Sequence, residues 1–406
     1  MKVLIYGINF SPELTGIGKY TGEMAEWLSA AGYQVRVITA QPYYPAWRFS
    51  DGYKNRYTVS SEQGFKVIRC PMYVPAKPTG LKRMLHLMSF SLTSFFPVLG
   101  TAFWKPDLVV QVAPTLFCSL QTLLLAKMTK GKSVLHIQDF EVDAMVGLSM
   151  MRSNWVDNLA YWFEKNILQR FDVVSTISEG MMKRALDKGV RAERLVLFPN
   201  WSEVHRFLDV QSSPELLLSL DLDPNKKIIL YSGNMGEKQG LESVLYVAQR
   251  MAADSELIFL LVGTGAGKAR LEALSASLGL KNVFFLPLQP YEELPQLLAL
   301  AHCHLVVQRA GAADAVLPSK LTNILAVGGN SVITAFAGTS LGDLCEDHKG
   351  ISVLVDPDSV SALEAGIVQA LAMPRPNAVA REYAQTYLDQ DLILKQFLKN
   401  LTKALH

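Results

Sequence analysis

The sequence predicts an α/β protein of two doubly wound domains, each a parallel sheet with helices on both faces. Three observations predict it. A strand, Gly-rich loop, helix, strand unit opens the chain and recurs roughly 230 residues later. The apolar runs around these units are short and rich in β-branched residues, as strands buried on both faces are. The chain's 406 residues, half of them apolar, suffice for two cores of ordinary size.

The elements follow in order. VLIYGI reads as a strand, NFSPELTGIG as a Gly/Pro loop, KYTGEMAEWLSAA as an amphipathic helix stopped by Gly32, and QVRVIT as the second strand. DLVVQVA, SVLHIQ, DVVSTIS and RLVLFPN continue the strand pattern between helical stretches. The unit restarts at IILYS, with the loop GNMGEKQG, the helix LESVLYVAQRMAA and the strand ELIFLLV, and NVFFLPL, CHLVVQ and SVITA carry it on. The boundary falls near Pro199 and Asn200, giving a first domain over 1–199 and a second over 200–377.

Two like domains make a cleft, and open α/β sheets bind ligands beyond the carboxyl ends of their strands. Gly16 and Gly18 in the first loop, with Gly233 and Gly236 in the second, are expected to face it. Glycine lets backbone N–H groups approach an anion closely, and a helix N-terminus adds about half a positive charge. Such turns also need glycine on steric grounds alone; their occurrence in both units favours a phosphate-bearing ligand. The segment LPSKLTNILAVGG, Leu317 to Gly329, poses a related question, because Pro-Ser-Lys opens an apolar helix and Asn323 places an amide one turn into it.

Other motifs are excluded by their spacing. VGTGAGKAR lacks the first glycine (Val262) and the final Ser/Thr (Ala269) of a P-loop, and neither Gly-rich loop meets the dinucleotide fingerprint. His302 and His304 flank Cys303 without a further ligand cluster, so they read as strand-edge residues. The acidic pairs at Asp221 to Asp223 and Asp356 to Asp358 sit beside prolines and read as turns. No resident metal or cofactor is expected. Cys70, Cys118, Cys303 and Cys345 form no CxxC pair, which fits a reducing cytoplasm, and MKVLIYGINF runs into a strand rather than a signal peptide.

Charge is uneven. Residues 1–200 hold 23 Lys and Arg against 15 Asp and Glu, whereas 201–406 hold 16 against 22, which suits either a first domain that faces something anionic or a scatter of solvated surface charge. From Met84 to Trp104 there are 21 residues with no formal charge. Lys82, His86, Ser89 and Thr93 recur at helical spacing, with Leu81, Met84, Leu85, Met88, Leu92, Phe95 and Phe96 around the rest, until Pro97 and Gly100 interrupt. A two-faced helix lies in a membrane interface or packs on a core rather than spanning. The expectation taken forward is peripheral attachment at an anionic inner-membrane surface.

FSPELTGIGKYTGEMAEWLSAAGYQVRVIT resembles the amino-terminal signature of family 4 glycosyltransferases. STISEGMMKRALDKGVRAERLVLFPNW is similar to the segment that closes their first domain, and YSGNMGEKQGLESVL, LVGTGAGKARLEAL and LPSKLTNILAVGG resemble three successive donor-domain motifs. The resemblance spans nearly the whole chain and points to the subgroup that builds exopolysaccharide and O-antigen units. It implies the GT-B fold, two Rossmann-like domains with a cleft between them. The first would bind an acceptor, the second a nucleotide-sugar, with retention of configuration and no essential metal. It also implies a last helix, over 378–406, that completes the first domain. Within the subgroup it implies a GDP- or UDP-sugar donor, fucose from GDP-fucose above all, and a prenyl-diphosphate-linked saccharide as acceptor in colanic acid synthesis at the cytoplasmic face of the inner membrane. No nucleic acid is implied.

The chain departs from the family pattern in the donor motifs. Where members carry GRxxxxKG, Asn234 stands at the Arg and Gln239 at the Lys, with Lys238 one residue early. Where they carry two glutamates eight residues apart, Ala315 and Asn323 stand. The candidate donor residues are therefore Gly16, Gly18, Gly233, Asn234, Lys238, Ser319, Lys320 and Asn323. HIQDFEVD supplies the acids: Asp139 and Asp143 match positions where relatives carry acids, Glu141 lies between them, and Asp139 and Asp143 could equally cap the next helix. A catalytically silent nucleotide-sugar scaffold and a GT-B-type epimerase are the alternatives.

Overall fold

The computed structural model describes residues 1–13, 16–76, 80–143, 154–208, 210, 217–218, 223–310 and 318–405. Leu317, Ala315 and Asp221, named above, lie outside them. The chain divides into two compact units, Met1–Pro199 with Leu394–His406, and Asn200–Ile393.

The first unit is built on eight strands in the order β3-β4-β2-β1-β5-β6-β7-β8. They are β1 (Lys2–Gly7), β2 (Gln34–Ala40), β3 (Thr58–Glu62), β4 (Phe65–Cys70), β5 (Leu108–Ala113), β6 (Lys132–Ile137), β7 (Val173–Thr176) and β8 (Leu195–Leu197). All pair in parallel except β3, which forms an antiparallel hairpin with β4. The hairpin is absent from the sequence reading because its edge strand, TVSSE, is too polar to give an apolar run. Helices α1 (Ile17–Ala30), α2 (Gly80–Gly100), α3 (Ser119–Thr129), α4 (Asn154–Leu168) and α5 (Glu179–Asp187) provide the crossovers.

The second unit has six parallel strands, β11-β10-β9-β12-β13-β14. These are β9 (Lys227–Ser232), β10 (Leu257–Val262), β11 (Val283–Leu286), β12 (Cys303–Val306), β13 (Ser331–Thr334) and β14 (Val353–Val355). Around them lie α6 (Val204–Phe207), α7 (Glu242–Arg250), α8 (Lys268–Ser277), α9 (Leu294–Leu300), α10 (Ser319–Val327), α11 (Ser340–Asp347), α12 (Val360–Leu371) and α13 (Ala378–Tyr383), and α14 (Gln390–Leu405) ends the chain. Strand side chains alternate between two cores. Ile228, Leu230, Ile258 and Leu260 pack with Leu321 and Leu325 of α10, while Ile229, Tyr231, Phe259 and Leu261 pack with Val244 of α7 and Ile367 of α12. Burial on both faces accounts for the unbroken apolar runs.

In each sheet the strand order reverses at the first strand, β1 between β2 and β5, and β9 between β10 and β12. Ligand crevices open at such reversals, beyond the carboxyl ends of the strands, here just after Gly7 and Ser232.

The expected extent of the carboxyl-terminal segment needs correction. Residues 378–393 belong to the second unit, because Ala380, Ala384 and Leu388 are buried in its core with Leu325, and Asn377 caps α13 by accepting from Ala380 N. Only from Leu394 does the chain join the first unit, where Phe397 stacks on Phe198 at 3.8 Å.

Helix α2 also corrects the sequence reading. It continues through Pro97 to Gly100, and the Thr93 carbonyl that proline leaves without its helical donor accepts instead from the Tyr57 hydroxyl at 2.8 Å. Its uncharged polar residues are buried or half-buried, while Lys82 is exposed. His86, Ser91 and Ser94 are buried, with Ser94 bonded to the Tyr6 hydroxyl at 2.6 Å and Ser91 to Gln121. Leu81, Leu85, Met88, Leu92, Phe95 and Phe96 are exposed, Leu92 by 71% and Phe96 by 78%. The segment Gly80–Trp104 is long and apolar enough to cross a membrane, but Leu87, Phe90 and Val98 build one side of it into the core of the first sheet.

Candidate functional site

The second unit gathers most of the predicted donor residues at the carboxyl end of β9. The turn after Ser232 is made by Gly233 at φ 147°. Against it lies the turn after β10, where Gly263 (φ 150°) comes so close that a Cβ would sit 1.9 Å from the Gly233 carbonyl oxygen. A Cβ on Gly265 would meet Met235 O at 2.6 Å and Asn234 Oδ1 at 2.7 Å. Met235 N donates to Thr264 O and Gly267 N to Met235 O, each at 2.8 Å, so GNMG and GTGAG interlock through their backbones. The glycines of VGTGAGKAR, which spacing excluded from a P-loop, thus shape the first loop. Gly263→Ala is expected to cost about 3 kcal/mol or more, from a strained φ together with backbone overlap, read as a lower urea midpoint with unchanged far-UV dichroism.

Lys320 enters this turn from the first turn of α10. Its ammonium lies 4.1 Å from the centre of the Tyr231 ring, and a Cβ on Gly233 would be 3.9 Å from Nζ. Burial pushes Lys320 down to about 7, and no carboxylate among the described residues pairs with it. Tyr231 is fixed in turn by its hydroxyl, which donates to Asn234 O at 2.5 Å. Pro318 at the N-cap has no side chain to satisfy the opening N–H groups of α10, which Ser319 begins. The result is a cation from the first turn of a helix set beside a glycine-walled turn, an arrangement with the chemistry to hold an anion.

The remaining donor residues divide. Asn234 and Lys238 are exposed on the loop. Asn323 is half-buried, and its Oδ1 accepts from the Ser202 hydroxyl at 2.9 Å, which ties α10 to a bridge between Ser202 and Asp389 and leaves the amide N–H groups for other acceptors. Arg309, which sequence reasoning missed, reaches the loop from beyond β12. It donates to Glu237 O at 3.0 Å and Glu242 at 3.1 Å, so its charge is neutralised there. No local motif marks it, since its partners lie some 70 residues away.

In the first unit Gly16, at φ 63°, is the N-cap of α1. Gly18 answers to a residue that sequence reasoning also missed: a Cβ there would be 2.6 Å from Glu13 Oε2. Glu13 is buried and accepts from Tyr43 N at 3.1 Å, Tyr44 N at 3.0 Å and Asn9 Nδ2 at 2.9 Å, clamping the loop after β1 to the loop after β2.

The acids of HIQDFEVD sit just past β6 in different states. Asp139 is exposed. Glu141 is buried and pushed up by that burial, opposed by the Leu116 N–H that it accepts at 3.0 Å. Burial pushes Asp143 up too, but Arg184 at 2.5 Å and Lys188 at 3.0 Å outweigh it and hold the carboxyl below its ordinary range. Lys188 also pairs with buried Glu164. An ion-paired acid of low pKa is a poor proton acceptor, so Asp143 is better placed to anchor α5 than to act as a base.

The metal and turn readings have their own structural accounts. His302 Nδ1 accepts from Ile228 N at 3.1 Å, His304 is buried, and burial pushes them down to about 4 and about 3. Among the described residues no three His, Cys, Asp or Glu side chains gather as metal ligands. Asp223 accepts from Asn225 N at 2.9 Å in a turn, and Asp358 from Ala310 N at 2.9 Å.

Two sheets reversing at their first strands, with glycine loops beyond them, are the Rossmann-like units of a GT-B protein, and comparisons give the class. Residues 15–201 match the Glycosyl transferase 4-like domain and 214–387 the Glycosyl transferases group 1 family. The chain is 56% identical over 406 residues, 99% of its length and all of the relative's, to a protein of Escherichia coli (strain K12) described as the colanic acid biosynthesis glycosyl transferase WcaI. Sucrose-phosphate synthase from Thermosynechococcus elongatus superposes with a TM-score of 0.73 at 18% identity, covering 100% of this chain and 98% of that one. Anabaena HepE in complex with UDP-glucose gives 0.68 at 15%, covering 99% of each. The chain belongs to the family 4 glycosyltransferases and is an enzyme of that class.

Proposed function

We propose that the protein transfers a sugar, with retention, from a nucleoside-diphosphate sugar to a prenyl-diphosphate-linked saccharide in exopolysaccharide synthesis. Fucose from GDP-fucose is the donor that the family resemblance favours, and colanic acid is the product that the relative's name favours. The observation that carries the reading is Lys320, a cation without a carboxylate partner among the described residues, set over Tyr231 against Gly233. HepE, crystallised with UDP-glucose, supports a nucleotide-sugar in such a fold.

In the proposed step the bond from the sugar's anomeric carbon to the β-phosphate oxygen breaks as the acceptor hydroxyl bonds to that carbon on the same face. The acceptor's proton passes to the departing phosphate, so no side-chain nucleophile is required. Lys320 and the opening N–H groups of α10 stabilise the charge growing on the leaving diphosphate. Asp139, exposed beyond β6, is the candidate acid there, whereas Asp143 is held by Arg184 and Lys188.

The acceptor's lipid gives the exposed face of α2 a role, as peripheral attachment to the inner face of the cytoplasmic membrane. Leu120, Leu124 and Met128 of α3 and Phe103 extend the apolar surface, and the exposed Lys82, Lys105, Lys127 and Lys130 suit anionic headgroups. The test is incubation with GDP- and UDP-sugars, with and without a prenyl-diphosphate-linked monosaccharide. Sugar transfer that needs the acceptor supports the reading. Nucleotide release or epimer without acceptor overturns it, as does binding without turnover.

A further inference from the structure

The three parts of a prenyl-diphosphate-linked saccharide are an apolar tail, an anionic bridge and a sugar, and α2 presents matching chemistry in that order. Because α2 connects the parallel strands β4 and β5, it runs antiparallel to them and its first turns lie at the carboxyl edge of the sheet. From there its exposed stripe, from Leu81 through Leu92 to Phe96, leads away over a helix of 21 residues, about 30 Å long.

Arg83 stands in the first turn. It is half-buried, and no ion pair holds it among the described residues. Its charge acts on Glu141, Tyr43 and His86, all at the carboxyl edge of the sheet or one turn along α2. Of these only Glu141 carries the opposite charge, buried and held by the Leu116 N–H without a direct ion pair to Arg83 among the described residues. His86 is 1% exposed, its Nδ1 meets Tyr73 O at 2.6 Å, and its Nε2 is buried without a partner among the described residues. Around it pack Tyr43 at 4.7 Å and Trp47 at 5.2 Å, on the loop that Glu13 clamps. Tyr44 and Tyr73, which lie beside this cluster in sequence, are exposed by 42% and 43%. Aromatic faces of this kind suit a sugar, and a guanidinium fork suits a diphosphate better than an ammonium does.

We propose that Arg83 seats the diphosphate of the prenyl-linked acceptor, with the α2 stripe against the prenyl chain and the loop of Tyr43, Tyr44 and Trp47 toward the saccharide. This rests on the acceptor class proposed above and assigns its binding site. The exposed Lys82, by contrast, serves general attraction to anionic lipid.

The experiment uses the full chain and zwitterionic vesicles doped with a prenyl diphosphate, a prenyl alcohol, or an anionic phospholipid of matched charge. The wild type is expected to bind the diphosphate vesicles at least tenfold more tightly than the other two. Arg83→Gln should lose most of that preference and raise the acceptor KM about tenfold, with nucleotide affinity unchanged; Arg83→Lys should retain part of it. A preference undiminished in Arg83→Gln, or equal binding to diphosphate and phospholipid vesicles, would overturn the seat even where transfer is observed. An Arg83-dependent preference without sugar transfer would support the seat and overturn the transferase reading of it.

Discussion

Lys320→Ala is expected to lower kcat/KM for the donor by about 100-fold or more while leaving the fold intact. The magnitude follows from the loss of one preorganised cation at the leaving diphosphate, where single donors contribute about 10²- to 10³-fold. The fold is expected to tolerate the change because Lys320 costs stability as it stands. Its ammonium is desolvated over Tyr231 with no acid among the described residues to pair it, and its pKa falls from 10.5 to about 7. The unfolded chain therefore binds more protons than the folded one between those values, so stability should rise with pH from about 7 to about 10.5. The cost is fully present below pH 7, and Lys320→Ala removes it. Urea unfolding at pH 7 and pH 9 should show a wild-type gain with pH that the variant lacks, and no loss for the variant at pH 7. Nucleoside diphosphate affinity, corrected for the ligand's own titration by the variant's trend, should weaken as pH rises past 7. Undiminished transfer by the variant, or a lower urea midpoint at pH 7, would show that Lys320 is a packing residue.

Lys320 was legible in the sequence as a lysine opening an apolar helix, and the Gly-rich loops as the two turns that such a ligand needs. What fixes them was not. Tyr231 beneath the ammonium reads in IILYS as one more strand residue, and the interlock of Gly233 with Gly263 joins loops that neither motif connects. Asn323 read as an anomaly beside the glutamates of relatives, whereas in the fold it accepts from Ser202, 121 residues away. Glu13 was invisible because the partners that tie it across the fold are backbone N–H groups of Tyr43 and Tyr44, which carry no side-chain signature. The α/β alternation could be read because burial on both faces leaves it in the composition. The hairpin of β3 and β4 could not, since its edge strand is polar, and residues 378–393 were given to the wrong unit because buried alanines carry little pattern.

Helix α2 is where pattern and fold diverge most, and it gives the second large effect. Leu92→Gln with Phe96→Gln is expected to weaken binding to anionic vesicles by about 30-fold or more. Each fully buried side chain of this size contributes about 1.5–3 kcal/mol, and burial in an interface is partial. Their exposure of 71% and 78% means the folded protein should be unaffected in water, with an unchanged or higher melting temperature. Co-sedimentation at low salt measures the first effect and thermal unfolding the second. Transfer should divide in the same way: an acceptor embedded in vesicles is used poorly by the variant, and a short-chain acceptor in solution is used as by the wild type. Raising the salt should weaken wild-type binding through the lysine rim but leave the apolar part, so the variant at high salt should bind least. Sedimentation of the variant equal to wild type would place the inverted helix against another protein instead. The inward Ser91 and Ser94 bonds to Gln121 and Tyr6 would then serve only to hold its apolar side outward.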